Sequence, residues 1–196
     1  MRKKEGNKEK DILEAVSKVF AKEGFHQAKI SKIAELANIA TGSVYLYFKN
    51  KDSILSKMFE EMWQKIYEET KNLADRTDIN PLEKFENMLD VVFDLFISNP
   101  SLAIVVVSEE NYMLRGKKSG FTSFYESFLD LGEEILKEGI NKNLFNPNLD
   151  IKVFRNFTFG GMRYLLQLWA QSPDKYPLTT IRQNVKFILK KAILLA

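Results

Sequence analysis

Residues 30–55 read ISKIAELANIATGSVYLYFKNKDSIL, and the order of apolar, small and hydroxyl residues in this stretch decides the fold. Ile33, Ala34, Leu36 and Ala37 put an apolar stripe on one short helix. Asn38 stands where that helix must turn sharply, and Asn tolerates left-handed backbone better than most residues other than Gly. Ile39 is placed to plug the corner, and a second short helix is predicted over roughly residues 41–48. Val44 and Phe48, four apart, face inward on it. Two short helices joined by a tight turn are the helix-turn-helix plan, in which the second helix enters the major groove of DNA.

The residue chemistry of the second helix fits that task. Gly42 has no side chain, so the helix start can come close to a phosphate or a base edge. Thr41, Ser43 and Tyr45 offer hydroxyls for phosphate oxygens or bases. Tyr47, Lys49 and Lys51 add a phenol and two cations, all suited to phosphate. Asn50 is a good cap for the helix that follows.

Charge supports the same reading. Residues 1–51 carry 11 Lys and Arg against 6 Asp and Glu, whereas the remainder carries 18 against 20. The basic excess therefore coincides with the DNA-reading segment, as counterion release from phosphate favours.

Other functions find little material in the 196 residues. No apolar run approaches the ~18 residues of a membrane span, so no membrane partner is expected. MRKKEGNKEK at the N-terminus is charged with no apolar segment behind it, unlike a signal peptide. The absence of cysteine excludes disulfides, thiolate metal sites and cysteine nucleophiles, and fits a cytoplasmic protein. One histidine, His26, cannot make a typical zinc site or a His-based triad. Gly160-Gly161 lacks the spacing of a phosphate loop. Glu109-Glu110 and Glu133-Glu134 are adjacent, diverge on a helix, and read as surface charges. No catalytic residue, metal or cofactor is assigned, and an enzyme is not expected.

The whole chain reads as all-α. A first helix over roughly residues 8–23 buries Ile12, Val16, Val19 and Phe20, with Gly24 as its stop. A long helix from about residue 52 into the low seventies buries Ile54, Leu55, Met58, Phe59, Met62 and Trp63. Asn80-Pro81-Leu82-Glu83 is a helix-start signature, and Asn99-Pro100 repeats it. Apolar-periodic segments follow over 81–98, 101–114, 119–142, 148–172 and 178–195. Residues 102–110, LAIVVVSEE, have strand propensity but sit in an otherwise helical chain and are read as helix. Two domains are expected: residues 1–50, a three-helix DNA-reading head, and residues 51–196, a helical body for effector binding and dimerisation.

The last two helices suggest a homodimer. The final one carries an apolar stripe of Ile181, Val185, Ile188, Leu189, Ala192 and Leu195. The one before it is apolar on two sides. Phe154, Phe157, Gly161, Leu165 and Leu168 define one side, and Val153, Met162, Leu166 and Trp169 the other. A helix wet on neither side is expected to meet more than its own chain's core. Gly160 and Gly161 each cost a helix up to about 1 kcal/mol relative to Ala, which a closely approaching backbone would explain.

Fifteen phenylalanines suggest an apolar cavity in the body. Phe93, Phe96, Phe124, Phe128 and Phe157 are candidate walls. Asn111, Tyr112, Arg115 and Arg163, with Arg155 and Asn156, are candidate polar anchors.

The run from Gly42 through Tyr45, Tyr47, Phe48 and Lys51 to Leu55 resembles the TetR family of bacterial transcriptional regulators. That resemblance implies a homeodomain-like head on a helical body. In the family the body dimerises and holds a small-molecule cavity whose occupancy changes the spacing of the heads. Residues 24–55, LAIV at 102–105 and FGGMRYLLQLWAQSPDKYPL at 159–178 are similar to one branch, the fatty-acid degradation regulators of the bacilli. These repress fatty-acid catabolism and leave DNA on binding long-chain acyl-coenzyme A. The implied protein is a dimeric repressor of a pseudo-palindromic operator on double-stranded DNA, with acyl-coenzyme A as the candidate effector. Departures from the pattern are Lys29 and Ala40 where Ser or Thr is usual, and Asn38 where Gly is usual. In the body, Glu109-Glu110-Asn111 stands for an acidic-Leu-Arg sequence, and Arg163 for an acidic residue. Three alternatives stay open: a repressor of a multidrug efflux system sensing lipophilic cations, an effector-less DNA-binding protein, and an enzyme or interaction module that carries such a head.

Overall fold

Helical periodicity and its punctuation give nine helices among the described residues. The computed structural model describes residues 8–115 and 121–195, apart from the side chains of Asn111, Leu114 and Arg115. The helices are α1 (Lys8–Glu23), α2 (Ile30–Leu36), α3 (Thr41–Val44), α4 (Lys51–Ala74), α5 (Pro81–Ser98), α6 (Pro100–Arg115), α7 (Phe121–Asn141), α8 (Ile151–Gln171) and α9 (Leu178–Ile193). The all-α expectation holds, and the strand-prone residues 102–110 are helical within α6.

Local chemistry explains the boundaries. Gly24 ends α1 at φ +77, and Asn38 ends α2 at φ +56, both in the left-handed region that Gly and Asn tolerate. The Asn50 side chain accepts from Ser53 N at 2.8 Å while the Ser53 hydroxyl accepts from Asn50 N at 3.1 Å, a reciprocal cap for α4. Asn80 caps α5 by accepting from Glu83 N at 3.0 Å, with Pro81 in the first turn. Asn99 departs from its expected role. Its side-chain amide donates back to Leu95 O at 3.2 Å, so it closes α5 rather than capping α6. The chain bends by 110° there.

α1, α2 and α3 form a small cluster around Ile12, Val16, Phe20, Ile33, Ala34, Val44 and Phe48, all buried. Leu36 does not join it and is 52% exposed. α2 touches its neighbours through the row Ile30, Ile33, Ala34 and Ala37, and Leu36 lies outside that row. α3 is one helical turn, shorter than expected, continued by a turn through Tyr47.

In the body α4, α5 and α7 pack together, α8 lies on α6 and α7, and α9 lies on α5 and α8. Two features tie the frame. Buried Lys84 donates to Ala74 O at 2.8 Å and to Glu138 at 3.0 Å, joining α4, α5 and α7. α9 is held to α5 by Arg182 and Lys186, each 2.7 Å from Asp90, and by Lys190, 3.4 Å from Glu86. α6, like α4, packs against both parts: α1 of the head and α8 of the body lie against it.

Candidate DNA interface and effector cavity

All the DNA-reading candidates except Lys51 lie on the solvent-facing part of the α3 segment and the turn after it. Thr41, Gly42, Tyr45, Tyr47 and Lys49 are exposed and Ser43 is half-buried, while Val44 and Phe48 anchor the same segment in the core. Leu46, absent from the sequence candidates, is 82% exposed in the middle of the same segment. Its signal was available: with Val44 and Phe48 turned inward, the positions between them must turn out.

Lys51 requires a correction. Its ammonium donates to the carbonyls of Phe25 and His26, each at 2.8 Å, and to that of Ala28 at 3.0 Å. An ammonium has three donors, and all three are used inside the protein. Lys51 therefore holds the turn between α1 and α2 rather than reaching for phosphate. It also lies 5.3 Å from the centre of the Phe25 ring.

Tyr112 is corrected as well. It points at that same turn and not into the body. Its hydroxyl donates to Asp52 at 2.6 Å, and its ring stands 5.6 Å from Phe25 and 6.0 Å from His26. The hydrogen bond to Asp52 raises the Tyr112 pKa. The turn at residues 24–28 is thus gripped by α4 through Lys51 and by α6 through Tyr112.

A cavity of about 250 Å³ lies in the body between α4, α5, α6, α7 and α8. Trp63, Phe96, Val106, Tyr125, Phe159 and Leu166 supply apolar wall. Four polar side chains, Glu110, Arg155, Asn156 and Arg163, share the lining. Glu110 contradicts its reading as a surface charge, because its side chain is only 12% exposed. Desolvation raises its pKa, and Arg163, with Nη1 at 3.8 Å from Glu110 Oε2, offsets part of that rise. Arg155 reaches Glu133 at 2.9 Å and Asp130 at 3.7 Å. Glu133 is likewise mostly buried, not a surface charge. Burial first, then the Glu110 charge, push the Tyr125 hydroxyl up to about 12. The buried Nε1 of Trp63 and Nε of Arg155 have no acceptor among the described residues.

Of the effector candidates, Phe96, Arg155, Asn156 and Arg163 line this cavity. Phe93 and Phe128 do not; both are fully buried core, Phe128 against Trp63 and Phe159. Phe124 packs beside Tyr67 and is also outside the lining. Phe157 is 72% exposed on the far side of α8. The Asn111 and Arg115 side chains lie outside the described residues.

The dimer candidates split into two groups. Phe154, Ile181, Val185 and Leu189 are buried in their own protomer and are corrected to core, because they form the rows that seat α8 and α9 on it. Gly161, Ile188 and Ala192 are exposed, and Leu165 and Leu168 are half-buried. Val153, Phe157, Tyr164, Phe187 and Ile188, between 56% and 72% exposed, complete an uncovered apolar surface on α8 and α9.

Comparison with known proteins converges on one group. Residues 12–58 match the bacterial regulatory proteins of the tetR family, and residues 56–192 match the C-terminal region of YsiA-like proteins. The chain is 31% identical over 186 residues to a fatty acid metabolism regulator protein of Bacillus subtilis (strain 168), covering 93% of each. Among solved structures it is similar to the transcriptional regulator FadR from Bacillus subtilis in complex with stearoyl-CoA. The TM-score is 0.78 at 29% identity, over 94% of this chain and 98% of that one. The fatty acid degradation regulator FadR from Bacillus halodurans gives a TM-score of 0.77 at 29% identity, over 92% of this chain and 97% of that one. The tetR-type head and the YsiA-like body together account for nearly the whole chain, which belongs to the TetR family of transcriptional regulators.

Proposed function

We propose that this protein is a homodimeric repressor that leaves a pseudo-palindromic operator when long-chain acyl-coenzyme A occupies the cavity of its body. The observation that carries the reading is the placement of α6. One stretch of it, Val106, Val107 and Glu110, walls the cavity, and the next turn, at Tyr112, holds the α1–α2 turn of the head. A ligand that displaces α6 therefore has a short mechanical route to α2 and α3. The apolar lining suits an acyl chain, and the relative from Bacillus subtilis was solved with stearoyl-CoA. Residues 1–50 act as the DNA-reading head and residues 51–196 as the effector-binding and dimerisation body, with α4 beginning at the boundary. The uncovered apolar face of α8 and α9 takes a second copy, setting two α3 helices to read half-sites about one helical turn apart.

Release of a fluorescent operator duplex tests the effector. An acyl chain buried at ~0.8 kcal/mol per methylene binds more tightly as it lengthens until the cavity is full. Micromolar long-chain thioester is expected to release the DNA, and short-chain thioester is not. Release by both alike, or by neither, overturns the reading. Glu110 among Trp63, Tyr125 and Phe159 favours a second reading, in which a lipophilic cation is the effector. Release by such cations and not by thioesters decides for it.

A further inference from the structure

The cations around the cavity already face carboxylates of the protein itself. Arg163 faces Glu110 across the gap between α6 and α8, at 3.8 Å. Arg155 is held by Glu133 at 2.9 Å and lies 3.7 Å from Asp130. Among the described residues, the two guanidinium groups thus meet at least these three carboxylates. Glu110, itself part of the lining, is mostly withdrawn from water, so its field is weakly screened.

We infer that the Glu110–Arg163 pair sets the head-group specificity of the cavity, barring ligands whose apolar chain ends in a carboxylate and admitting those with an uncharged polar group. An anion brought beside Arg163 meets Glu110 at the same place and loses its hydration without gaining an unopposed cation. An uncharged carbonyl or hydroxyl pays no such cost. It also finds hydrogen-bonding groups in Asn156 of α8 and Tyr125 of α7, both in the same lining. This selectivity rests on the reading that the cavity holds the ligand's chain, and it deepens that reading by separating a thioester from the free acid.

Decan-1-ol and decanoate share a chain and differ in the end group, so they serve as probes, followed by the fluorescence of Trp63 in the cavity wall. The wild-type protein is expected to bind the alcohol at least tenfold more tightly than the acid. That ratio alone partly reflects the solvation of any carboxylate, so its response to substitution is the decisive measurement. Glu110→Gln is expected to shrink the ratio at least fivefold by tightening decanoate. Arg163→Gln is expected to widen it by weakening decanoate more than decanol. Circular dichroism identifies a variant that has lost its fold; the other variant then carries the test, since each moves the ratio in a defined direction. Equal binding of the two probes by the wild type, or a ratio indifferent to the substitution, overturns the inference.

Stearoyl-coenzyme A, a long-chain thioester, separates the two claims. If it fails to bind while the alcohol-to-acid ratio responds as stated, the effector identity fails and the specificity pair stands. If it binds while the ratio does not respond, the reverse holds. Binding of none of the three probes overturns both.

Discussion

Gly42 is informative because nothing among the described residues requires it. Its φ is not in the left-handed region, and a Cβ added there would meet no atom within 4 Å. The sequence reading of Gly42 as a close approach to DNA can therefore be tested without disturbing the fold. Gly42→Ala is expected to leave stability unchanged or raised by up to about 1 kcal/mol, since Ala is the better helix former. It is expected to weaken operator binding about tenfold, or about 1.4 kcal/mol. Lys51 and Lys49 make the complementary pair. Lys51→Met removes three hydrogen bonds to carbonyls of the 24–28 turn and is expected to cost about 1–3 kcal/mol of stability. Its effect on the salt dependence of DNA binding is expected to be small. Lys49→Ala is expected to spare stability and to reduce the salt slope by about one counterion. Anisotropy titrations at several salt concentrations, with thermal melts, measure both. A Lys51→Met variant that loses salt slope as Lys49→Ala does would return Lys51 to the DNA contacts. The sequence left these two lysines alike, because both follow the recognition segment and their partners are set by the distant turn at residues 24–28. Glu110 was hidden for a related reason. Adjacent carboxylates diverge on a helix, which means that they meet different surroundings, not that both meet water.

Among the elements, α8 and α9 show how much periodicity reveals and where it stops. Their existence and ends were legible, because Pro147, Pro173 and Pro177 and the apolar spacing mark them in the sequence. The facing of α8 was not. It carries two apolar rows about 100° apart, and only the position of its neighbours decides which one is covered. Phe154, Thr158, Met162, Leu166 and Trp169 form the covered row, and Val153, Phe157, Gly161 and Tyr164 lie on the open one. α9 makes the same division, with Ile181, Val185, Leu189 and Ile193 beneath and Phe187 and Ile188 outside. The α5 ladder through Asp90, Asp94 and Glu86 fixes that rotation. If the outer rows meet a second copy, a charge on them acts on assembly and not on the protomer. Ile188→Glu is expected to stay folded, because its side chain is 56% exposed, and to sediment as a monomer. Val185→Glu, one turn away in the covered row, is expected to lose several kcal/mol and unfold. A folded Ile188→Glu dimer indistinguishable from the wild type would remove α9 from the interface.

At the scale of the whole molecule, the proposed function requires occupancy of the body to be felt by the head. α6 is bent away from α5 by 110° and is packed by α1 on one side and α8 on the other, so it belongs to neither part alone. The plan of a tetR-type head followed by a helical body was legible from the head motif and the apolar periodicity. The junction was not, because Tyr112 lies 60 residues from Asp52 and no local pattern links them. Tyr112 carries an aromatic contact to Phe25 and one hydrogen bond to Asp52, and these can be separated by substitution. Tyr112→Phe keeps the ring and removes the bond. If the bond transmits the position of α6, the variant still binds operator and effector singly, and only the coupling between them falls. Coupling free energies of this kind are about 1–3 kcal/mol, so the factor by which saturating effector weakens operator binding is expected to fall at least fivefold. Linkage then requires the factor by which operator weakens effector binding to fall equally, and calorimetry in the presence and absence of operator measures it. Asp52→Asn retains an acceptor oxygen for the Tyr112 hydroxyl and is expected to keep most of the coupling. A Tyr112→Phe variant with native fold and undiminished coupling would leave the α1–α6 packing as the sole route between cavity and DNA.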